Sequence, residues 1–325
     1  MSLVWAMVRL LPFLLVLLYA APWLLRAELQ HRTFVYKKIG KVEVHADVYR
    51  PDDRKARPVL VWLHGGALIN GNRIGVPGKL KALAEREGYV LVSLDYRLAP
   101  ETKLPGIIGD VMDGLDWIRQ KGPELFQADP RRLVIAGGSA GGYLTMMAGV
   151  RHRPAPNALV TYWGYGNLLA DWYLKPSTHY RSTRPLIESK VAWAGVGRGV
   201  PTGSTRETSR ARSRFYLFQR QQGTWTKVVS GFDPVKQRDK ILPYCPVENL
   251  TRNYPPILMI HGTKDNDVPY YESANMAKAL KRLGAPHELI TIQNGGHGLG
   301  GGDPKLIAQA HERALAFIRK HLGGK

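Results

Sequence analysis

The chain has 325 residues, 44% of them hydrophobic, and a formal net charge of +20 from 46 lysines and arginines against 26 aspartates and glutamates. That length suits one large α/β domain with insertions, or two small domains, and the apolar share supports a sizeable buried core. The single cysteine, Cys245, excludes an intramolecular disulfide framework and a cysteine zinc site, while the charge favours anionic surfaces without any recognisable nucleic-acid module.

The first element, Leu3 to Leu25, is leucine-rich and interrupted only by Arg9, Pro12 and Pro22. Its apolar block from Leu10 to Leu18 has the length of a signal-peptide core, yet Tyr19-Ala20-Ala21 is followed by Pro22, which disfavours cleavage there. The whole stretch approaches the ~20 residues that span a bilayer. Residues 1–26 are therefore expected to be a membrane anchor or a signal segment, with a buried helix of the fold as a third reading. The chain is then membrane-anchored or exported (secreted or periplasmic) rather than cytoplasmic. The positive flank Arg26, His31, Arg32, Lys37 and Lys38 would hold the domain that follows an anchor on the cytoplasmic side.

From Thr33 the alternation Val42, Val44, Ala46, Val48 predicts half-exposed antiparallel strands. Continuous apolar runs follow at 58–63, 89–94, 133–136, 158–162 and 257–260, which predict strands buried on both faces, as parallel strands are. Helical patterns fall between them at 79–87, 108–121, 141–151 and 271–283, and 304–321 closes the chain as an amphipathic helix. This alternation predicts an α/β fold, a doubly wound, mostly parallel sheet, over residues 33–325. The stretch 168–254 breaks the rhythm and reads as an inserted cap. Its aromatics Trp172, Tyr173, Trp193, Phe215, Tyr216, Phe218 and Trp225 either shape an acyl or alcohol pocket or form the cap's own core. Arg206, Arg210, Arg212 and Arg214, set among Ser, Thr and Gly, are expected on a mobile solvated loop, the alternative being a phosphate or lipid-headgroup patch.

Gly137-Gly138-Ser139-Ala140-Gly141 directly follows the apolar run ending at Ala136. A serine hydroxyl is a poor nucleophile unless a base and an oxyanion hole both reach it, and a glycine-flanked strand-to-helix turn exposes it to them. The candidate hole is the backbone N–H of Gly66 and Ala67, in His64-Gly65-Gly66-Ala67 after the first core strand, joined by that of Ala140. His297, presented by Gly295-Gly296-His297-Gly298 after the run His287 to Ile292, is the candidate base. Two carboxylates follow the run ending at Ile260. Asp265 is expected to orient the imidazole, and Asp267 to stabilise the turn by accepting nearby N–H groups. No H-E-x-x-H, carboxylate–histidine cluster or G-x-G-x-x-G after a strand is present, so no metal or other cofactor is expected.

Together with Asp95-Tyr96-Arg97-Leu98-Ala99-Pro100-Glu101, these stretches resemble the α/β-hydrolase superfamily. Within it the likeness is to the esterases related to hormone-sensitive lipase and to the small bacterial and fungal feruloyl and acetyl esterases. It spans about Val35 to Leu322. The resemblance implies that the Asp95–Glu101 stretch is mainly architectural, which leaves Arg97 and Glu101 outside the active site. Ala67 stands where many relatives have a third glycine, and Gly138 where the hormone-sensitive-lipase branch usually has an acidic residue. Both departures move the likeness toward feruloyl-esterase-like and formamidase-like branches. The expected function is a serine hydrolase of small-molecule carboxylic esters, with an amide or formamide hydrolase and a non-catalytic small-molecule binder as the alternatives.

Overall fold

The structure, a computed structural model, describes residues 28–323. The segment expected to anchor or export the chain, residues 1–26, lies outside the described residues. Among the described residues no helix is long and apolar enough to cross a membrane.

The alternating segment folds as two antiparallel strands, β1 (Leu29–Ile39) and β2 (Val42–Pro51). The first strand thus begins ahead of Thr33. Leu29 to Arg32 carry little apolar alternation, and they join the sheet through the backbone ladder that pairs Leu29 with Pro51 and Arg32 with Val48. The chain then alternates through β3 (Arg57–Leu63), α1 (Gly78–Glu87), β4 (Val90–Leu94), α2 (Leu104–Phe126), β5 (Ala128–Gly138), α3 (Ala140–Arg151) and β6 (Ala158–Tyr162). Between β6 and the next strand lie α4 (Asp171–Leu174), α5 (Thr178–Thr183), α6 (Ser189–Trp193), α7 (Arg206–Gln222), α8 (Trp225–Ser230) and α9 (Arg238–Ile241). The frame resumes with β7 (Ile257–Gly262), α10 (Tyr271–Leu283), β8 (His287–Ile292) and α11 (Pro304–Leu322).

The strands form one eight-stranded sheet in the order β1-β2-β4-β3-β5-β6-β7-β8. β1, β2 and β4 pair antiparallel, and every pair from β4–β3 onward is parallel. The central strands divide their side chains between two cores. Val59, Val61, Leu133 and Ile135 face α2 and α3, whereas Leu60, Val134 and Ala136 face α1 and α11. That two-sided burial is why these strands read as unbroken apolar runs. Because β3, β5, β6, β7 and β8 run the same way, the loops after all five open at one edge of the sheet.

The basic segment is not a loop. Residues 206–222 form α7, opened by a capping box in which the Thr205 side chain accepts the Thr208 N–H and Thr208 accepts that of Thr205. Arg206, Arg210 and Arg214 are exposed, but Arg212 is buried and ion-paired with Glu101.

Candidate active site

Ser139 sits between the end of β5 and the start of α3 with φ 55° and ψ −119°, a strained conformation for a residue with a side chain. Its N–H donates to the Tyr162 carbonyl (2.9 Å), and its own carbonyl accepts the Tyr143 N–H (3.0 Å), so β6 and α3 hold the turn from both sides. The flanking glycines have no room for a side chain. A Cβ on Gly137 would stand 2.2 Å from the Gly141 carbonyl oxygen, and one on Gly141 would stand 1.9 Å from that of Leu63. Gly138 is different, since a Cβ there meets only Trp62 and Trp163 at 3.6 and 3.7 Å, ordinary contact distances.

The structure brings the three candidate residues together. His297 Nε2 is 3.1 Å from Ser139 Oγ, and His297 Nδ1 is 2.7 Å from Asp265 Oδ2. With the proton on Nδ1, the imidazole donates to Asp265 and leaves Nε2 free to accept the serine hydroxyl. Burial drives the Asp265 pKa upward, but hydrogen bonds from His261 and His297 outweigh it and hold the carboxyl at about 2. Burial also disfavours protonated His297, yet the Asp265 hydrogen bond and the charges of Asp267 and Asp265 prevail, and its pKa lies above that of an ordinary imidazole.

The two aspartates divide their work differently from the sequence expectation. Asp265 does both jobs: Oδ1 accepts the N–H groups of Asp267 and Val268, each at 2.9 Å, while Oδ2 faces His297. Asp267 accepts from side chains, taking the Tyr216 hydroxyl and Arg220 Nη1 (2.7 Å) on Oδ1. The turn-binding role passes to the first aspartate because backbone N–H groups two and three residues onward are the ones an aspartate side chain reaches.

Gly66 and Ala67, the loop members of the candidate oxyanion hole, lie in a backbone run of positive φ: 111° at Gly66, 56° at Ala67 and 61° at Leu68. Gly66 borders the cleft and Ala67 is buried. Ala140 is the first residue of α3, where an N–H has no acceptor within the helix. The run is held from the segment between β6 and β7. Trp225 Nε1 donates to the Ala67 carbonyl (3.1 Å), Arg212 Nε donates to that of Ile69, and Asn70 Nδ2 donates to Ser213 Oγ (2.9 Å). His64 stacks on Tyr96 (4.2 Å between centroids) and places Nδ1 2.8 Å from the Gly65 carbonyl; burial pushes its pKa down to about 4.

Two hollows meet at Gly65. One, of about 380 Å³, reaches Ser139 and is lined by Trp62, Leu80, Tyr162, Trp163 and Leu315. The other, about 970 Å³, has the polar side chains of Asn70, Asn72, Arg73, Ser204 and Arg206 along it. The apolar hollow owes nothing to residues 168–254. Of the aromatics there, Tyr173, Phe215 and Trp225 are fully buried, and Tyr173 stacks on Trp225 at 3.8 Å, so they are packing residues. Trp62 and Tyr162 read in the sequence as members of strand runs, and Trp163 follows such a run directly, so none of them stood out as a lining residue. Their one signal was position, at or just past the carboxyl ends of β3 and β6. Among the described residues no group of histidine, cysteine and carboxylate side chains could hold a metal ion.

Comparison with known proteins assigns the chain to a family. Residues 46–280, well over half of its length, match the BD-FAE family model. The non-reducing polyketide synthase pkbA of Emericella nidulans is 28% identical over 321 residues, covering 81% of this chain and 13% of that protein. The synthase mapC of Penicillium brevicompactum is 27% identical over 344 residues, covering 89% and 14%. The chain thus spans only a small part of these curated relatives. Among solved structures, a Staphylococcus aureus protein of unknown function superposes with a TM-score of 0.71 (19% identity, 90% of this chain and 99% of that one). A truncated carbohydrate esterase from gut microbiota gives 0.63 (19%, 92% and 98%). Esterase 2 of Thermogutta terrifontis, phosphoramylated by tabun, gives 0.62 (22%, 89% and 94%). The structural likenesses establish the α/β-hydrolase fold, and the family match establishes that this chain belongs to the BD-FAE family of esterase-like α/β-hydrolases.

Proposed function

We propose that this chain hydrolyses carboxylic esters of small molecules through an acyl-enzyme on Ser139. The observation that carries the reading is the relay Ser139 Oγ to His297 Nε2 at 3.1 Å and His297 Nδ1 to Asp265 Oδ2 at 2.7 Å. Ser139 Oγ attacks the ester carbonyl while His297 Nε2 takes its proton. The negative oxygen of the tetrahedral intermediate is met by the N–H groups of Gly66, Ala67 and Ala140, each such donor being worth roughly 3 kcal/mol. His297 returns the proton to the leaving alcohol, and a water, activated in the same way, releases the acid. The Asp265 carboxylate keeps the ring in the useful tautomer and supports the imidazolium.

The apolar hollow beside Ser139 suits the acyl group, and the segment 168–254 acts as a cap whose anchors at Ala67, Ile69 and Asn70 steady the oxyanion loop. The Thermogutta esterase is phosphoramylated by tabun, so an organophosphorus reagent is a fitting probe here. A fluorophosphonate is expected to label the wild-type chain at Ser139, and Ser139→Ala to lose both label and p-nitrophenyl acetate turnover. Undiminished turnover in Ser139→Ala would sink the proposal. Because His297 must be neutral to accept the proton and its pKa is raised, the acid limb of the rate profile should lie above the pH of an ordinary imidazole titration.

A further inference from the structure

The carboxylate nearest the reacting nitrogen of His297 is Asp267. Its Oδ2 stands 3.6 Å from Nε2, the nitrogen that lies 3.1 Å from Ser139 Oγ. Asp267 is held rigidly from the cap. Arg220 Nη1 donates to Asp267 Oδ1 (2.7 Å), to the Asp267 carbonyl (3.0 Å) and to the Tyr216 hydroxyl (2.8 Å), and that hydroxyl donates to Oδ1 as well. The guanidinium is itself buried, with the rings of Trp172, Tyr173 and Tyr180 at 4.9, 5.1 and 5.4 Å from its carbon. Oδ1 is therefore saturated and its charge compensated. Among the described residues no short hydrogen bond ends on Oδ2, and the Tyr180 hydroxyl is a longer-range hydrogen-bonding neighbour of the same carboxylate.

The step that returns the proton determines what Oδ2 can meet. The leaving oxygen must come within about 3 Å of Nε2 to receive the proton, so the first atoms of the alcohol pass beside any group 3.6 Å from that nitrogen. An open carboxylate oxygen there accepts from a hydroxyl and rejects an ether oxygen or an anion, which would leave it desolvated and unpaired. Arg220 offsets part of the carboxylate charge, which weakens the pull on a cation relative to that on a neutral hydrogen-bond donor. We propose that Asp267 forms a leaving-group subsite that selects esters of alcohols bearing a second hydroxyl next to the ester oxygen. This inference rests on the hydrolase reading given above and adds its alcohol side.

The test compares kcat/KM for 2-hydroxyethyl acetate and 2-methoxyethyl acetate, which share an acyl group and differ in one donor. The wild-type chain is expected to favour the hydroxyethyl ester by about tenfold or more, the range for a hydrogen bond to a charged group. In Asp267→Asn the ratio falls. Since that change leaves Arg220 buried without its counter-charge, the paired variant Asp267→Leu with Arg220→Met removes both charges together, and its ratio is expected near one. A wild-type ratio near one overturns the subsite, as does a ratio that survives in both variants while rates on both esters drop equally. Fluorophosphonate labelling of the same preparations separates the two proposals. A labelled wild-type chain that turns over both esters alike defeats the subsite alone, whereas a wild-type chain with no label at Ser139 defeats the hydrolase reading and the subsite with it.

Discussion

Ser139 occupies a backbone conformation that its neighbours impose, and the glycines around it are not equivalent. Gly141 lies against the Leu63 carbonyl and Gly137 against that of Gly141, so both are required by close backbone approach. Gly138 lines the apolar hollow with space for a methyl group. Gly141→Ala is therefore expected to cost about 3 kcal/mol or more in urea-denaturation stability, and Gly138→Ala less than about 1 kcal/mol. Equal losses in the two variants would contradict this account of the turn. The same close view explains what was legible at this scale. The motif around Ser139 and the histidine loop stood out as short strings of residues, whereas the division of labour between Asp265 and Asp267 depended on which carboxylate the turn aims at the ring.

At the scale of elements, the frame strands were visible in the sequence as apolar runs, but α7 was not. Its buried side chains include Arg212, Gln219, Arg220 and Gln221, so a reading that seeks an apolar stripe finds none. Those polar residues are buried because each has partners in the frame or cap. Arg212 places Nη1 and Nη2 on the two Glu101 oxygens at 3.0 and 2.8 Å and donates to the Ile69 and Ala99 carbonyls. The family resemblance implied an architectural role for Glu101, and its partner is Arg212 of α7. Arg212→Met should leave Glu101 buried and unpaired at a cost of about 3 kcal/mol, with Arg212→Met plus Glu101→Leu recovering most of it. A double-mutant cycle by denaturation measures the coupling, and additive losses would show that the pair does not tie α7 to the loop.

For the whole molecule, acid sensitivity follows from buried histidine. His64 has a folded pKa of about 4, while the unfolded chain protonates it near 6.5. Below pH 6.5 the unfolded state binds the extra proton, so stability falls as pH drops from about 6.5 to about 4, by roughly 3 kcal/mol. His152, His311 and His321, whose pKa values are also lowered, act in the same direction. The depressed Asp265 contributes a further loss only at lower pH, between its unfolded value of 3.8 and about 2. Unfolding free energy measured across pH 4 to 7 should slope less steeply in His64→Gln than in the wild-type chain. Parallel curves would remove His64 from the explanation.

The sequence by itself determined where the apolar strand runs lie, the α/β alternation and the short strings that carry Ser139, Asp265 and His297, because burial on both faces of a sheet and tight turns leave local signatures in residue type. Only the tertiary structure decided which side chains line the hollow beside Ser139, that α7 is a helix holding the loop at Ile69 and Asn70, and that Asp267 lies beside Nε2 of His297. Those features join residues far apart in the chain, such as Trp62 with Leu315 and Arg220 with Asp267, and their partners become known only when the parallel strands bring the loops to one edge.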